Sequence, residues 1–193
     1  MSMDAYPDNW SWTNASRTVC LARMLLPLAW LVQVEDTAQH RAWLETITLD
    51  LLALQEDCGA IRETLGGAQY AVASNAAYGT AETSLIQEDG DPAADMLYAC
   101  NFALLGLHEA AAATGEPLYA EAEDKLTDFL CRIQIESETH PELDGAWYRG
   151  FDFDKWEYWA SNADAGWGVW CTESGWTVSW IASLMGLRET NIS

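Results

Sequence analysis

The hydrophobic pattern at the start of the chain predicts one buried helix followed by one surface helix. Apolar residues fill almost every position up to about Val34, so the first helix should be an inner one. Thr13 or Asn14 is the predicted N-cap, and Pro27 should kink the helix. From there to about Gln55, apolar residues recur at helical spacing between polar ones, which is typical of an amphipathic outer helix.

The same order, an apolar helix and then an amphipathic one, repeats in the middle of the chain. Asp91 followed by Pro92 is a strong start signal, because a capping side chain precedes a proline at the first helical position. It predicts a third, mostly apolar helix that Gly115 ends, and a fourth, amphipathic helix to about Glu136. A fifth helix is predicted over residues 174–188.

The lengths of the connections predict where the functional face lies. The turns within each helix pair are short, whereas the connections 56–90 and 137–173 are long. In antiparallel hairpins stacked side by side, the connections between hairpins fall at one end. We therefore expect both long connections, and the N-terminal lead-in with Trp10 and Trp12, to share the face where the inner helices begin. The predicted fold is all-α: stacked antiparallel helical hairpins in one domain over 1–193, with long loops on one face.

The charge balance argues against two classes of partner. The 193 residues include 30 acidic and 9 basic side chains, for a formal net charge of −21. Nucleic acids and anionic membranes are bound by clustered Lys and Arg, which this sequence lacks. The apolar run from Met24 to Val34 is too short to span a bilayer. We expect neither a nucleic acid nor a membrane as partner.

The five cysteines are widely spaced and form no metal-binding or disulfide pattern. Cys20, Cys100 and Cys131 fall within predicted helices and should be small buried hydrophobic residues. The N-terminal segment has neither a basic region nor an apolar run, so no signal peptide is predicted. Reduced thiols without a leader favour a cytoplasmic location, and we expect no metal and no cofactor.

Seven of the eleven tryptophans lie between Leu143 and Trp180, mixed closely with acidic residues and glycines. Aromatic rings stack on the C–H faces of a sugar, while carboxyl groups bind its hydroxyls or protonate a glycosidic oxygen. This Trp-rich stretch therefore predicts a saccharide cleft. The alternative is that its tryptophans are core packing under a long loop.

The alternation of inner and outer helices, the long loops where inner helices begin, and the segment DGAWYRGFDFDKWEYWASNADAGWGVWCTESGW resemble the six-hairpin glycosidases, the (α/α)6 toroid superfamily. The resemblance covers most of the chain as a pattern and is sharpest from Asp144 to Trp180. It implies carbohydrate processing, commonly glycoside hydrolysis, with Asp and Glu near the mouth of the toroid. The predicted helices suffice only for the C-terminal half of a closed toroid, so we expect a fragment or an open structure that needs a partner.

Glu173 and Asp164 are the catalytic candidates. Glycoside hydrolysis needs a proton donor and a second carboxylate on opposite sides of the scissile bond. Glu173 lies beside Trp170 and Trp176 in CTESGWT, where a raised pKa would suit the acid; alternatively it only caps the fifth helix. Asp164, in SNADAGWG, would be a base or bind a substrate hydroxyl; alternatively it is a turn aspartate bonded to its own backbone.

The substrate-binding candidates are aromatic and charged residues around that pair, with one tyrosine from the other long connection. They are Trp147, Arg149, Asp152, Trp156, Glu157, Trp159, Trp167, Trp170 and Tyr78. Arg149 would fork onto a carboxylate of a uronic acid, or else form an ion pair with a nearby acid. Asp152 and Asp154 would share one side of an extended segment and could hold calcium, although no EF-hand pattern is present.

Two other functions compete with a hydrolase that acts on an oligosaccharide. The chain could be a non-catalytic helical module that binds sugars, or a self-assembly module, because a half toroid exposes apolar sides. The expected partners are accordingly an oligosaccharide or a uronic-acid-containing glycan, together with a second copy of the chain or a missing N-terminal half.

Overall fold

A computed structural model describes residues 3–10, 12, 15–71, 85–86, 88–159 and 179–190, which are mostly helical. The helices are α1 (Arg17–Val34), α2 (Ala38–Leu52), α3 (Asn101–Thr114, after the π-helical turn Met96–Cys100), α4 (Pro117–Arg132) and α5 (Ser179–Thr190). The strands are β1 (Ala93–Asp95), β2 (Gly150–Asp152) and β3 (Glu157–Trp159), and short 3-10 turns span Met3–Ala5 and Ala68–Tyr70. The all-α prediction is therefore right for the helices and missed a small sheet.

The inner helices α1, α3 and α5 run side by side in the same direction, with α3 in the middle. Near their starts, the guanidinium of Arg23 lies over the ring of Phe102, and that ring packs against Trp180 with 5.2 Å between centres. Farther along, the indole of Trp30 donates to Glu109 over 3.0 Å. Because contacts occur in the same order along α1 and α3, these two helices are parallel.

The outer helices α2 and α4 return antiparallel to α1 and α3 through short turns. Thr37 caps the start of α2, and Pro117 occupies the first turn of α4. Glu123 of α4 contacts both His108 in the second half of α3 and Arg188 near the end of α5. Since Trp180 at the start of α5 lies beside the start of α3, α5 follows α3 in direction.

The core lies between the inner and outer helices. Each of the helices α1 to α4 supplies buried apolar side chains to it: Leu21, Leu25 and Leu28 of α1, Leu44, Ile47 and Leu51 of α2, Leu104 and Leu107 of α3, and Leu126, Phe129 and Leu130 of α4. A Cβ at Gly106 would collide with the Cβ of Leu25, so α1 and α3 touch where a side chain would keep them apart.

Helix α1 also passes the length and composition criteria for a membrane-crossing helix, at 18 residues. The apolar run that the sequence showed was shorter because it began at Met24 rather than at the helix start. Half of the helix is buried against the rest of the fold, as expected for a core helix.

Several helix ends agree with the sequence and others do not. Gly115 ends α3 in the left-handed conformation, with φ 69°, as predicted. Ser16 caps α1, its hydroxyl accepting a hydrogen bond from the backbone N–H of Val19, so the cap is neither Thr13 nor Asn14. Those two residues, and residues 174–178 of the predicted fifth helix, lie outside the described residues.

The outer helices end earlier than their apolar pattern suggests. Helix α2 ends at Leu52 rather than at about Gln55, because the chain turns back and the Glu56 N–H donates to the Ala60 carbonyl over 2.8 Å. Helix α4 ends at Arg132 rather than at about Glu136, because residue 135 exchanges backbone hydrogen bonds with residues 145 and 146.

The start of the third predicted helix is wrong, because residues 93–95 form β1 instead. The sheet has the order β1-β2-β3 with both pairs antiparallel, and Ala94 lies opposite Phe151, which lies opposite Tyr158. The N–H of Glu63 donates to Ala93 from the other side of β1. Pairing on both edges of a buried segment thus overrides the local Asp-Pro signal.

Candidate functional site

Three segments that are distant in sequence are hydrogen-bonded to one another at the end where α1 and α3 begin. The Gly66 N–H donates to Ala15 of the lead-in over 2.9 Å. The strand β1 pairs with β2 of the Trp-rich stretch, and the Phe153 N–H donates to Pro92 over 2.9 Å. We call this end of the molecule the loop face.

Helices α1 and α3 each leave one stripe of side chains partly or fully exposed. The stripes are Arg23, Pro27, Trp30 and Val34 on α1, and Tyr98, Phe102, Leu105 and Glu109 on α3 and the π-helical turn before it. Within each stripe the residues are three or four positions apart, so they lie on one side of their helix. The contacts between the two stripes make them one continuous surface, which we call the inner face.

Where the inner face meets the loop face, two arginines and three aromatic rings form a cluster. The Arg23 guanidinium carbon lies 5.4 Å from the centre of the Tyr98 ring and 5.2 Å from that of Phe102. The Arg149 guanidinium carbon lies 5.8 Å from the same Tyr98 ring, and Trp180 packs on Phe102. All five side chains keep partial exposure. We call them the arginine–aromatic cluster.

Arg23 differs from most basic residues of this protein in its partners. Arg17, Arg41, Arg62, Lys155 and Arg188 each form an ion pair with an acidic side chain. Among the described residues, Arg23 has no hydrogen bond and no ion pair, and its guanidinium lies over two aromatic rings. Its N–H donors therefore remain available to a ligand.

Two buried carboxylates beside the cluster shape the backbone. Asp95 caps the π-helical turn, its Oδ1 accepting from the N–H groups of Leu97 at 2.7 Å and Tyr98 at 3.1 Å. Asp152 accepts from the N–H groups of residues 154 and 155 and pairs with the Lys155 ammonium at 3.2 Å. Burial alone would raise the pKa of Asp152, but these donors outweigh it and hold the pKa below its ordinary value.

A third carboxyl, that of Glu63, is fully buried near the same turn. The thiol of Cys100 lies close by, and its pKa is raised, first by burial and further by the carboxylates of Asp95 and Glu63. Cys100 is therefore a protonated, unreactive thiol at neutral pH. This matches its expected role as a small buried hydrophobic residue, a role that Cys20 shares.

Two of the predicted stacking tryptophans lie mainly inside the fold. Trp147 is only 1% exposed, and its indole N–H donates to the Leu130 carbonyl over 2.8 Å, so its ring has no free face for a sugar. Trp159 is partly exposed and packs against a small cluster around Leu85. The Trp159 Nε1 is buried and meets no acceptor among the described residues, so this donor is unsatisfied.

The turn between β2 and β3 projects the more accessible candidates. Trp156 is 39% exposed, with its backbone at φ 60°, and its ring stands edge-on to Phe129 and Phe151. Glu157 is exposed on β3, and the neighbouring Tyr158 packs against Tyr148 with 5.0 Å between ring centres. This turn and the strand after it therefore present aromatic rings and two exposed carboxylates, those of Asp154 and Glu157, to solvent.

An open groove of about 330 Å³ lies on the outer side of the loop face. It is lined by Asp57, Cys58, Gly59, Lys125, Asp128, Cys131 and Arg132. The Arg132 guanidinium carbon is 4.3 Å from the centre of the Trp156 ring, which places Trp156 at the edge of the groove. Cys131 is exposed here, so the prediction that it is buried was wrong: it lies on the outward side of the last turn of α4.

The remaining predicted site residues lie outside the described part of the chain. They are both catalytic candidates and three binding candidates: Glu173, Asp164, Trp167, Trp170 and Tyr78. Their roles remain predictions.

The calcium alternative for Asp152 and Asp154 does not fit the observed backbone. Residues 153–156 form a turn and not an extended segment. The Oδ1 atom of Asp152 accepts hydrogen bonds from two N–H groups of that turn. Among the described residues, no three His, Cys, Asp or Glu side chains lie where they would hold a metal ion together.

Sequence reasoning missed Arg23, Tyr98 and Phe102. The two aromatic residues were absorbed into an apolar helix that looked buried all round. One signal was present: Arg23 is the only charged residue of α1 beyond its first position. A charge inside an otherwise apolar inner helix is costly unless it faces an opening, so it marks the exposed stripe.

No protein-family model, no curated protein and no solved structure matched this chain when it was compared with each.

Proposed function

We propose that this protein is carbohydrate-active and binds an oligosaccharide where the inner face meets the loop face. The observation that carries the proposal is the placement of Tyr98, Phe102 and Trp180. Tyr98 and Phe102 come from the start of α3 and the π-helical turn before it, and Trp180 comes from the start of α5; all three partly exposed rings lie beside arginine side chains. Rings beside fixed polar groups are what a sugar needs, since its C–H faces stack and its hydroxyls bond.

The Trp-rich stretch supports the same location. Its strand β2 is hydrogen-bonded to β1, which leads directly into the turn that carries Tyr98. Trp156 and Tyr158 expose further rings on the turn and strand beyond β2. An oligosaccharide long enough to cross the loop face from the arginine–aromatic cluster would meet these rings as well.

The chemistry we propose is glycoside hydrolysis, with Glu173 as the acid and Asp164 as the second carboxylate. The buried acids near the cluster, Asp95 and Asp152, already accept hydrogen bonds from backbone N–H groups. They suit positioning better than proton transfer, which leaves the catalytic role to other carboxyl groups of the Trp-rich stretch.

The architecture we propose for the whole assembly is part of an (α/α) toroid. Three parallel inner helices, with antiparallel outer helices returning from two of them, are the arrangement that such a toroid repeats. A second copy of the chain, or a further segment, would then complete the ring around the inner face.

Isothermal titration calorimetry with a panel of neutral and uronic oligosaccharides tests the proposal. Trp180→Ala should weaken binding of the sugar that binds by at least about tenfold, the loss of one stacked aromatic pair. Trp30→Ala is the matched control, because Trp30 lies at the far end of the same inner face. If no sugar binds the folded chain, or if both variants weaken binding equally, saccharide binding at this cluster is refuted.

A second function, self-assembly, is favoured by one observation on the same inner face. Trp30 is 51% exposed and Val34 is 86% exposed, side by side on α1. Exposed apolar stripes of this kind commonly mark protein interfaces. Light scattering of the purified chain separates the two functions: a stable dimer that Val34→Asp dissociates supports assembly, and a monomer at high concentration contradicts it.

A further inference from the structure

We propose that Arg23, with Arg149, forms a subsite for an anionic group of the bound saccharide, a carboxylate or a sulfate ester. The protein would then select acidic oligosaccharides over neutral ones of the same length. This inference rests on the proposed function, because it concerns the ligand of the same cluster.

The first support is the free hydrogen-bonding capacity of Arg23. This protein has 30 acidic side chains against 9 basic ones, so an arginine would be expected to find a carboxylate partner. Arg23 has none among the described residues, although it is only partly exposed. Leaving a half-buried guanidinium without a counter-charge is costly in the empty site and is offset when an anion binds.

The second support is the way Arg23 is held. Its guanidinium lies over Tyr98 and Phe102, both within 5.4 Å of the guanidinium carbon. The two rings confine the group on one side, and none of its N–H groups donates to a described residue. A planar edge with two parallel N–H groups matches a carboxylate or sulfate in the bidentate manner.

The third support is a second positive charge at the same ring. The Arg149 guanidinium carbon lies 5.8 Å from the centre of Tyr98, so both arginines lie within 6 Å of one aromatic ring. The Tyr98 ring therefore lies beside two guanidinium groups, and the positive potential they share favours an anionic group over a neutral one at this point of the surface.

The rings decide between a free anion and an anion carried by a sugar. Phe102 and Trp180 continue the surface beyond Arg23, and an inorganic ion bound to the arginines would not contact their ring faces. A pyranose ring that bears a carboxylate would use the whole cluster, because its C–H face would stack on the rings and its charge would bind the arginines.

The test compares a uronic-acid oligosaccharide with the same oligosaccharide after its carboxyl groups have been reduced to alcohols. Calorimetry on the wild-type chain should show at least about tenfold tighter binding of the acidic ligand, as expected for one charge-assisted hydrogen-bond pair. A sulfated oligosaccharide of the same backbone should bind like the uronic one. Sodium acetate and sodium sulfate, as free anions, should bind far more weakly.

The variant Arg23→Gln should lose about tenfold or more in affinity for the acidic ligand and leave the affinity for the reduced ligand unchanged. Arg23→Lys keeps the positive charge but cannot form a bidentate pair, so its affinity for the acidic ligand should lie between those of Arg23→Gln and the wild-type chain. Arg41→Gln is the matched control, because Arg41 is an arginine at the opposite end of the helices, paired with Asp36 and Glu116. Circular dichroism and thermal unfolding confirm that each variant is folded.

The outcomes separate the two proposals. If neither oligosaccharide binds the wild-type chain, the proposed function fails. If both bind with equal affinity, or if Arg23→Gln weakens both equally, the saccharide site stands and the anionic subsite is refuted. If the free anions bind as tightly as the acidic oligosaccharide, the sugar contributes nothing to binding at this subsite and the inference is overturned.

Discussion

The Nη1 atom of Arg188 lies 2.6 Å from the Oε1 atom of Glu123, and this contact ties the last turn of α5 to α4. The same oxygen lies 3.0 Å from Nδ1 of His108 on α3. Glu123 is nearly buried, so one carboxylate joins three helices at the end opposite the loop face. Because α5 contributes Trp180 to the arginine–aromatic cluster, this contact also fixes one wall of the site.

Removing this carboxylate should destabilise the protein strongly. Glu123→Ala leaves Arg188 with only its exposed partner Asp124 and removes the acceptor of His108, so we expect a loss of about 2 kcal/mol in the free energy of unfolding. Urea denaturation followed by circular dichroism measures it. Glu121→Ala, an exposed change two residues away on the same helix, should alter stability by less than about 0.5 kcal/mol. Equal effects of both changes would mean that the contact contributes nothing.

The capping role of Asp95 gives a second prediction, which also tests whether the cap is Asp95, as in the structure, or Asp91, as the sequence pattern predicted. Asp95→Ala should cost about 1 kcal/mol or more, because the N–H groups of Leu97 and Tyr98 lose their acceptor. Asp91→Ala, at the cap that the sequence favoured, should cost less than about 0.5 kcal/mol. The denaturant midpoints of the two variants, measured at unchanged m-value, compare these losses. If Asp91→Ala costs more than Asp95→Ala, the helix begins at Asp91 and the assignment of the cap to Asp95 is wrong.

The helices were predictable because their signals are local. The apolar run of α1, the amphipathic spacing of α4 and the stop at Gly115 are all encoded within a few neighbouring residues. The segment 93–95 was not predictable in this way. Its strand conformation depends on β2, more than fifty residues later in the chain, and on Glu63, and no local preference reports such partners.

The candidate site was predictable in its position and less so in its members. Connection lengths alone brought the lead-in, the first long connection and the Trp-rich stretch to one end. Which tryptophan faces solvent depends on the turn it occupies: Trp147 is in the core and Trp156 is not. Arg23 was overlooked because a helix that is apolar nearly all round conceals a narrow exposed stripe, which only the packing of α1 against α3 reveals.

The lowered pKa of Asp152 gives a prediction about acid stability. A carboxyl whose pKa is lower in the folded chain than in the unfolded chain stabilises the fold when it is ionised. That contribution is complete above the ordinary pKa of 3.8 and is lost as the pH falls through the lower folded value.

Asp152→Asn removes this titration and supplies the measurement. The difference in unfolding free energy between the wild-type chain and the variant should be constant from pH 7 to about pH 5 and should shrink below about pH 4. Taking the difference cancels the titration of the other acids in this strongly acidic chain. A difference that stays constant down to pH 2.5 would show that the pKa of Asp152 is not lowered by folding.

Two glycines inside helices should respond to alanine with opposite signs. Gly106→Ala forces a Cβ into the Cβ of Leu25 where α1 and α3 touch, and we expect a loss of about 2 kcal/mol from overpacking. Gly186→Ala on α5 meets open space and should stabilise the protein by about 0.5–1 kcal/mol through helix propensity. Thermal unfolding of the pair checks both signs. Stabilisation by both changes would contradict the close approach of α1 and α3.

The catalytic assignment is the prediction that distinguishes a hydrolase from a sugar-binding module. Glu173→Gln keeps the size of the side chain and removes its transferable proton, so turnover of a bound oligosaccharide should fall by about a hundredfold or more. Its affinity should change little, since the rings and arginines remain. Glu138→Gln, an exposed acid of the same long connection, is the control and should leave turnover unchanged.

Product release is followed by reducing-end assay and affinity by calorimetry on the same preparations. If Glu173→Gln hydrolyses the oligosaccharide at the wild-type rate, Glu173 has no catalytic role. Because Asp95 and Asp152 are occupied by backbone donors, Asp164 and Glu157 would then be the next carboxyl groups to replace. If the wild-type chain binds the sugar and releases no product, the rings and arginines serve recognition alone, and the chain is a binding module whose tryptophan-rich stretch does no chemistry.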